Sequence, residues 1–254
     1  MFYILANINK TRSISKGAFM KITYWSDYAC PYCYIGETRL KKIIANMPEM
    51  KGRQFELEMK AFQLDPYAEK FSTGDTQTRF AKKYGISMEE AGETIEQISK
   101  MGMREGLDFR YATTLFTNTL DAHRLTKFAM NTGDKKLTDS LIEKLYKAYF
   151  TDNKELADKE VLLNIAVECG LNKDEVKTLL DSDKYKDEVI LDEKEASRYG
   201  IHSVPFFYVN GYGISGAQSE EYMKDTILAA LEKENTKNEN THGMSCGPTG
   251  CIIG

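Results

Sequence analysis

The sequence lacks the long hydrophobic run that a membrane-spanning helix requires. A spanning helix needs about 18 or more consecutive, largely apolar residues, and no stretch of this 254-residue chain approaches that length. The chain also lacks an excess of basic residues, because 34 Lys and Arg face 38 Asp and Glu, which gives a net charge of −4. We therefore expect neither nucleic acid nor a membrane as a partner.

Cysteine is too scarce for a disulfide scaffold. The five cysteines form two close pairs and one single residue: Cys30 and Cys33, Cys246 and Cys251, and Cys169. Such usage is typical of catalytic or regulatory thiols in a reducing compartment. We interpret the single residue, Cys169, as an inert buried thiol of the core.

The first 19 residues lack the features of a secretory signal. A signal carries positive charges before its apolar run, whereas here a short apolar run comes first and the charges follow. We interpret residues 1–19 as a disordered extension, or as residues upstream of a start at Met20, and we expect a cytoplasmic protein.

A Cys-x-x-Cys motif lies where a predicted strand meets a predicted helix. Residues 21–26 are β-branched and aromatic, which predicts a buried strand, and apolar residues recur at helical spacing over 30–47. Pro31 would occupy the first helical position, where its missing N–H costs nothing. The helix dipole and the free N–H groups at a helix start favour an anion, so they stabilise a thiolate at Cys30.

The two sulfurs of this motif have different predicted roles. Cys30 is the nucleophile, and Cys33, one helical turn further on, is the resolving thiol that attacks a mixed disulfide on Cys30. Half of a zinc site is the alternative, but such a site needs two further ligands. Asp27, close to both thiols, is predicted to cap the helix or to accept the proton of Cys33.

The order of the other predicted elements indicates an α/β fold. A second strand is predicted near 55–60, and helical patterns then dominate 66–200. A strand over 203–209 turns at Asn210-Gly211 into another at 212–216, and a helix over 218–234 follows.

We therefore predict a thioredoxin fold with a large all-helical insertion between its β-α-β and β-β-α halves. The predicted thioredoxin-like domain combines 20–65 with 201–234, the insertion domain is 66–200, and 235–254 is a flexible polar tail.

Pro205 heads the strand that is expected beside the Cys-x-x-Cys motif. Proline is tolerated only at the start or the edge of a strand, and in a thioredoxin fold this proline is normally cis. The backbone of Val204 would then be exposed as a docking edge for an extended peptide or a glutathione-like thiol.

Four segments make the sequence resemble the DsbA-like thioredoxin-fold oxidoreductases, and among them the FrnE-like branch. They are residues 26–36 (SDYACPYCYIG), 118–125 (NTLDAHRL), 204–207 (VPFF) and 216–218 (GAQ), and the resemblance extends over about residues 21–232. It implies the helical insertion, and it places the following residues at the substrate site: His123, Val204, Pro205 and Gly216.

The same resemblance extends to 2-hydroxychromene-2-carboxylate isomerases and kappa-class glutathione transferases. Those enzymes usually carry Ser at the position of Cys30 and lack the second thiol. The presence of both Cys30 and Cys33 here favours dithiol chemistry over glutathione-dependent isomerisation.

Two histidines have roles that the sequence leaves open. The resemblance brings the helix of His123 close to the active face, where its charge would help to hold the Cys30 thiolate. A purely structural role is the alternative, and His202, just before Val204, has the same two alternatives.

The second cysteine pair lies in the tail as Cys246-x4-Cys251. The Gly-Pro-Thr-Gly between them suits a type I turn that brings two sulfurs within disulfide range, and FrnE-like proteins include members with such a pair. We predict a second redox pair that exchanges electrons with the first. A thiophilic metal with His242 as third ligand and incidental cysteines are the alternatives, and no metal site is assigned.

The combined prediction is a thiol–disulfide oxidoreductase acting on a thiol- or disulfide-containing protein or small molecule. We expect no tightly bound cofactor, with glutathione as a candidate co-substrate and a homodimer as a candidate assembly. A glutathione-dependent isomerase or transferase and a thiol-based redox or metal sensor are the alternatives. The direction of electron flow stays open, because a strongly stabilised thiolate makes an oxidant and a weakly stabilised one a reductant.

Overall fold

A four-stranded mixed sheet forms the centre of the fold. The computed structural model describes residues 19–242, with side chains described as far as Lys233. The strand order is β2-β1-β3-β4. Strand β1 (Phe19–Ser26) pairs in parallel with β2 (Gln54–Ala61) and antiparallel with β3 (Phe206–Val209), which pairs antiparallel with β4 (Tyr212–Ser215). The parallel β1–β2 pair that the sequence predicted is confirmed.

Helices make up most of the remaining described chain. Two short 3-10 turns, Pro48–Met50 and Tyr111–Thr113, accompany them. The α-helices are α1 (Pro31–Asn46), α2 (Thr76–Tyr84), α3 (Met88–Arg104), α4 (Leu120–Asn131), α5 (Lys135–Phe150), α6 (Lys159–Glu168), α7 (Lys173–Leu180), α8 (Lys186–Arg198) and α9 (Glu220–His242). Helices α2 to α8 fall between β2 and β3, so the predicted α/β fold with an all-helical insertion is confirmed.

Local sequence signals set several of these boundaries. Ser87 and Glu90 form a capping box at the start of α3, because each side chain accepts a hydrogen bond from the other residue's backbone N–H. Asn172 caps α7 by accepting hydrogen bonds from two backbone N–H groups. Asn210 and Gly211 have φ of 46° and 91°, as the predicted tight hairpin turn requires.

The buried core is continuous from the sheet into the inserted helices. Tyr24 on β1 lies opposite Phe207 on β3, and their rings stack with centroids 5.8 Å apart. The same apolar cluster includes Leu145 of α5 and Leu162 of α6. Burial of this surface joins the insertion to the sheet as one packed unit.

The two ends of the insertion are fastened together beside the sheet. The indole N–H of Trp25 donates to the carbonyl oxygen of Asp192 in α8 (3.1 Å). The Asp192 carboxylate accepts the backbone N–H of Ala61 (2.8 Å), and Glu193 accepts that of Gln63 (3.0 Å). The chain therefore leaves β2 and returns towards β3 at neighbouring points.

Some predicted boundaries were wrong. Strand β1 begins at Phe19 and so takes in the last residue of the predicted extension. Helix α9 continues to His242, so residues 235–242 are helical and are not the linker that their polarity suggested. A helix satisfies its own backbone hydrogen bonds without burial, and no Gly or Pro interrupts residues 220–242.

Three expectations fall on residues outside the described range. They concern residues 1–18, the tail over 243–254, and with it the Cys246 and Cys251 pair. Within residues 19–242, none of the helices is both long and apolar enough to cross a membrane.

Candidate active site

Cys30 is the N-cap residue of α1, as predicted. Its backbone is extended (φ −92°, ψ 114°), and Pro31 occupies the first turn. The Cys30 N–H donates to the carbonyl oxygen of Asp27 (3.0 Å), and the Cys33 N–H donates to the carbonyl oxygen of Cys30 (3.1 Å). These bonds fix a tight turn that presents the first sulfur at the positive end of the helix dipole.

The Cys30 thiol faces the backbone that precedes β3. Its Sγ lies 3.5 Å from the carbonyl oxygen of Val204, and the Val204–Pro205 peptide bond is cis, as predicted. Gly216, with a φ of 81°, donates its N–H to the carbonyl oxygen of Pro205 (2.8 Å). Gly216 therefore supports Pro205 from behind, with its own N–H already engaged.

The absence of a side chain at Gly36 permits helix α1 to approach Pro205 closely. A Cβ there would lie 3.2 Å from Cγ of Pro205 and 3.3 Å from Cζ of Phe207. Glycine at position 36 therefore lets helix α1 pack directly against Pro205 and β3 without crowding.

Cys33 is fully buried behind Cys30. Burial raises the pKa of its thiol well above the ordinary value, and the hydrogen bond and negative charge of Cys30 raise it further. A hydrogen bond with Ser26 acts in the opposite direction. The Ser26 hydroxyl also lies 2.5 Å from the Tyr146 hydroxyl of α5. Cys33 is thus held as a neutral thiol, the form expected of a resolving cysteine at rest.

Asp27 lies beside this turn but does not cap α1, so our preferred prediction for it was wrong. Its carboxylate accepts the backbone N–H of Ala29 (3.2 Å) and that of Leu64 (2.7 Å), 37 residues away. The helix N-cap position belongs to Cys30 instead. Asp27 therefore ties the loop after β2 to the Cys30 turn.

His123 of α4 is buried next to Asp27. Its Nε2 lies 3.5 Å from Oδ1 of Asp27, and its ring centroid is 5.0 Å from that of Tyr28. His123 and Asp27 are each 1% exposed. His202, by contrast, is exposed. The burial of His123 is not exceptional on this helix, because residues on several sides of α4 are buried.

A small cleft opens next to Cys30. Its volume is about 60 Å³, and helix α2 contributes Arg79, Phe80, Lys83 and Tyr84 to its wall. Burial raises the pKa of Tyr84, and negative charge at Cys30 raises it further, which reflects how near the two groups are. Cys30 itself is only 4% exposed, so this cleft is the visible approach to its sulfur.

The sequence analysis missed the α2 residues of the cleft. Nothing local links α2 to Cys30, because almost 50 positions separate Arg79 from the motif. The available signal was a pair of cations one helical turn apart, at Arg79 and Lys83, with aromatic residues beside each.

Glu37 is a second residue that the sequence analysis missed. It follows Cys33 by one helical turn and is buried. Its Oε1 forms an ion pair with Nζ of Lys41 at 2.6 Å. Burial raises the pKa of Glu37, and Lys41 only partly offsets this. A buried carboxyl on an otherwise apolar helix face was the feature to notice.

Cys169 is half-buried at the edge of the core and not fully inside it. Its sulfur lies 3.8 Å from the Ser140 hydroxyl. Larger cavities, of about 500 and 410 Å³, lie beside Trp25 and Arg124 respectively and contain neither Cys30 nor Cys33. The chemistry is therefore assigned to the smaller cleft, because reactive groups and not volume define a site.

The fold and this thiol turn define a class of thioredoxin-like proteins with an inserted helical block. The model of the DSBA-like thioredoxin domain family matches residues 21–228. The chain therefore belongs to the DSBA-like thioredoxin domain family, and the predicted family resemblance is confirmed.

Solved structures agree with this assignment. A probable DsbA oxidoreductase from Streptomyces coelicolor is 33% identical, with a TM-score of 0.77 over 92% of this chain and 99% of the other. A 2-hydroxychromene-2-carboxylate isomerase is 11% identical, with a TM-score of 0.63 over 86% and 98%. The cytosolic disulfide reductase DsbM from Pseudomonas aeruginosa, in a structure with glutathione, is 13% identical, with a TM-score of 0.53 over 86% and 99%. The last two show a shared fold only.

Proposed function

We propose that the protein is a thiol–disulfide oxidoreductase in which Cys30 is the nucleophile and Cys33 the resolving thiol. The observation that carries this proposal is the position of Cys30 at the start of α1, with Sγ 3.5 Å from the carbonyl oxygen of Val204. The fully buried Cys33 lies one helical turn behind it. A nucleophilic thiol at the positive end of a helix dipole, with a second thiol one turn behind it, suits disulfide exchange.

The reaction follows from this order of sulfurs. The Cys30 thiolate attacks one sulfur of a substrate disulfide, forming a mixed disulfide and releasing one substrate thiolate. Cys33 loses its proton and attacks Sγ of Cys30, which forms the Cys30–Cys33 disulfide and releases the second substrate thiolate. Two electrons pass from the protein to the substrate. The reverse sequence oxidises two substrate thiols.

The backbone around Val204 and Pro205 docks the substrate. An extended segment laid beside Val204 would place its sulfur next to Cys30. Gly216 contributes by holding the carbonyl oxygen of Pro205 (2.8 Å). His123 acts as a positioning residue, because its Nε2 faces Asp27 at 3.5 Å and Asp27 holds the turn that carries Cys30.

We place this chemistry in a reducing compartment, the cytoplasm, with a protein or small-molecule disulfide as substrate. Glutathione is our candidate for the reductant, and DsbM, a neighbour in fold, is known in a structure with glutathione. In the alternative of a glutathione-dependent isomerase or transferase, Cys33 is dispensable, and the contact of Cys33 with Cys30 favours the dithiol mechanism. The sensor alternative, the second redox pair and the homodimer stay predictions.

A glutathione redox titration tests the proposal. Each cysteine is read separately by differential alkylation and mass spectrometry, in the intact protein and in Cys33→Ser. We expect Cys30 and Cys33 to titrate together as a two-electron couple and the variant to accumulate a mixed disulfide at Cys30. Cys169→Ser is the matched control and should leave the couple unchanged. A pair that never closes, with full glutathione-dependent turnover in Cys33→Ser, would overturn the proposal.

A further inference from the structure

Helix α2 presents two cations to the Cys30 cleft. Arg79 and Lys83 lie one helical turn apart, and both line the cleft with Cys30. Phe80 and Tyr84 follow them in the sequence and line the same wall. The remaining described residues of the cleft are apolar or aromatic, and none of them is acidic. The approach to the nucleophile is therefore apolar with positive charge on one side.

Among the side chains that the structure describes, no carboxylate neutralises these two charges. The Arg79 guanidinium stacks 3.6 Å from the centroid of the Phe116 ring, which leaves the N–H groups at its edge available. Lys83 lies over the Tyr84 ring at 5.7 Å. Within residues 19–233, neither cation forms an ion pair with a carboxylate.

Another arginine, by contrast, uses its charge and its N–H donors within the fold. Arg39 of α1 pairs with Glu105 at 2.8 Å and donates to the carbonyl oxygen of Ala217 (3.1 Å). Its charge is used within the fold. Arg79, by contrast, keeps the donors at its edge free of any carboxylate among residues 19–233.

We propose that Arg79 and Lys83 select substrates whose reacting sulfur carries a carboxylate a few bonds away. The inference rests on the proposed thiol–disulfide exchange and names the substrate class of that site. Both cations line the same small cleft as Cys30, so one small substrate can contact the cations and the nucleophile together. The carboxylate reaches the guanidinium edge while the sulfur reaches Cys30.

The charge has a kinetic purpose as well as a binding one. A Cys30 thiolate that attacks a disulfide bearing a carboxylate brings two negative charges together, and the charge of the attacking sulfur then passes to the substrate thiolate that leaves. Two cations beside Cys30 offset this repulsion. The same cations repel a cationic disulfide and have little effect on a neutral one.

Three small symmetric disulfides of similar size test the inference. They are 3,3′-dithiodipropionate with two negative charges, bis(2-hydroxyethyl) disulfide with none, and cystamine with two positive charges. The reduced full-length protein is mixed with each, quenched in acid, and its Cys30–Cys33 disulfide is quantified by alkylation and mass spectrometry. Comparing variant with wild type for each probe removes the intrinsic reactivity of the probe.

We expect Arg79→Gln to slow oxidation by dithiodipropionate about fivefold and Lys83→Gln about threefold, since partly exposed charges contribute modestly. Both variants should react with the neutral disulfide within about twofold of wild type and with cystamine faster. Arg79→Lys should recover most of the loss. Lys82→Gln removes an exposed charge from the same helix outside the cleft and is the matched control.

The outcomes separate this inference from the proposed function. Equal slowing of all three probes would mean that α2 acts through the fold or through Cys30, and it would overturn the charge selection alone. An unchanged dithiodipropionate rate in Lys83→Gln and Arg79→Gln would do the same. A wild-type protein whose Cys30–Cys33 pair reacts with none of the probes would contradict the proposed function itself.

Discussion

The hydroxyl of Ser26 lies 2.5 Å from the hydroxyl of Tyr146, and this bond links the last residue of β1 to the inserted helix α5. Ser26 also acts on the Cys33 thiol, whose pKa it lowers by hydrogen bonding. One serine therefore connects the resolving cysteine to the helical insertion. Both hydroxyls are buried, so neither can exchange its partner for water.

We expect Ser26→Ala to slow resolution and to destabilise the fold. The Ser26 bond lowers the pKa of Cys33, so its loss raises that pKa further and leaves less Cys33 thiolate at neutral pH. A mixed disulfide preformed on Cys30 should then persist several-fold longer at pH 7, as followed by mass spectrometry. The unpaired Tyr146 hydroxyl should reduce the free energy of unfolding by about 1–3 kcal/mol.

Ser140→Ala is the control for this prediction, because Ser140 is an exposed serine beside the sulfur of Cys169. Ser140→Ala should change neither the lifetime of the mixed disulfide on Cys30 nor the free energy of unfolding. A mixed disulfide with a wild-type lifetime in Ser26→Ala would show that the hydroxyl has no part in activating Cys33.

The contribution of Glu37 to the free energy of unfolding should fall as pH rises through the titration of its carboxyl. Burial raises the pKa of this carboxyl above 4.5, so the folded state binds its proton more tightly than the unfolded state. The associated stabilisation is present in full below the unfolded pKa and is lost as pH rises through the folded one. Lys41 titrates far above this window and stays charged throughout.

Urea unfolding of wild type and Glu37→Gln between pH 4 and 7 measures this contribution. Relative to Glu37→Gln, wild type should lose on the order of 1 kcal/mol of its free energy of unfolding across this pH range. Glu96→Gln is the control, since Glu96 forms the same i,i+4 pair with Lys100 (2.7 Å) on an exposed surface. Parallel curves for wild type and Glu37→Gln would contradict the assignment.

Gly36→Ala should push helix α1 away from Pro205 and β3. The new Cβ would meet Cγ of Pro205 at 3.2 Å, and overpacking of this kind costs about 1–3 kcal/mol. The gain in helix propensity, about 1 kcal/mol, offsets part of that cost. We expect a net loss of up to about 2 kcal/mol in chemical denaturation and slower attack by Cys30.

Gly92→Ala in α3 provides the comparison, because its Cβ would meet only the flexible end of Gln77. That variant should be as stable as wild type or slightly more stable. If both substitutions had the same effect, close packing at Pro205 would not be the reason for glycine at position 36.

Asp27→Asn should loosen the Cys30 turn. The carboxylate of Asp27 accepts separate N–H groups with its two oxygens, from Ala29 and Leu64, whereas an amide has one acceptor oxygen. One bond must be lost, at a cost of about 1–3 kcal/mol. Hydrogen exchange should show lower protection at Leu64 or Ala29, together with a lower free energy of unfolding.

The control for this change is Asp65→Asn. Asp65 accepts one N–H, that of Tyr67 (3.1 Å), at an exposed site, so the amide oxygen can replace the carboxylate. Retained protection at both amides in Asp27→Asn would show that the buried carboxylate does not hold the turn.

Local patterns were sufficient to predict much of this fold. The strand before Cys30, Pro31 at the helix start and the Asn210-Gly211 turn each depend on neighbours within a few residues. The roles that the sequence analysis missed or misassigned depend on distant partners. Asp27 was taken for a cap because its partner Leu64 is 37 residues away, and Arg79 was missed because α2 reaches Cys30 only after the insertion has packed.

The junction between Asp192 and Ala61 bears on how the chain can assemble. Strand β3 must find β1 after an excursion of 145 positions from Ala61 to Phe206. Once the Asp192 carboxylate holds the Ala61 N–H, only 14 positions remain between Asp192 and Phe206. Shortening the loop in this way reduces the free-energy cost of closing it by about 2 kcal/mol. The insertion therefore shortens the last loop that must close before β3 reaches β1, and the contact between Asp192 and Ala61 bears the entropic cost of the longer loop.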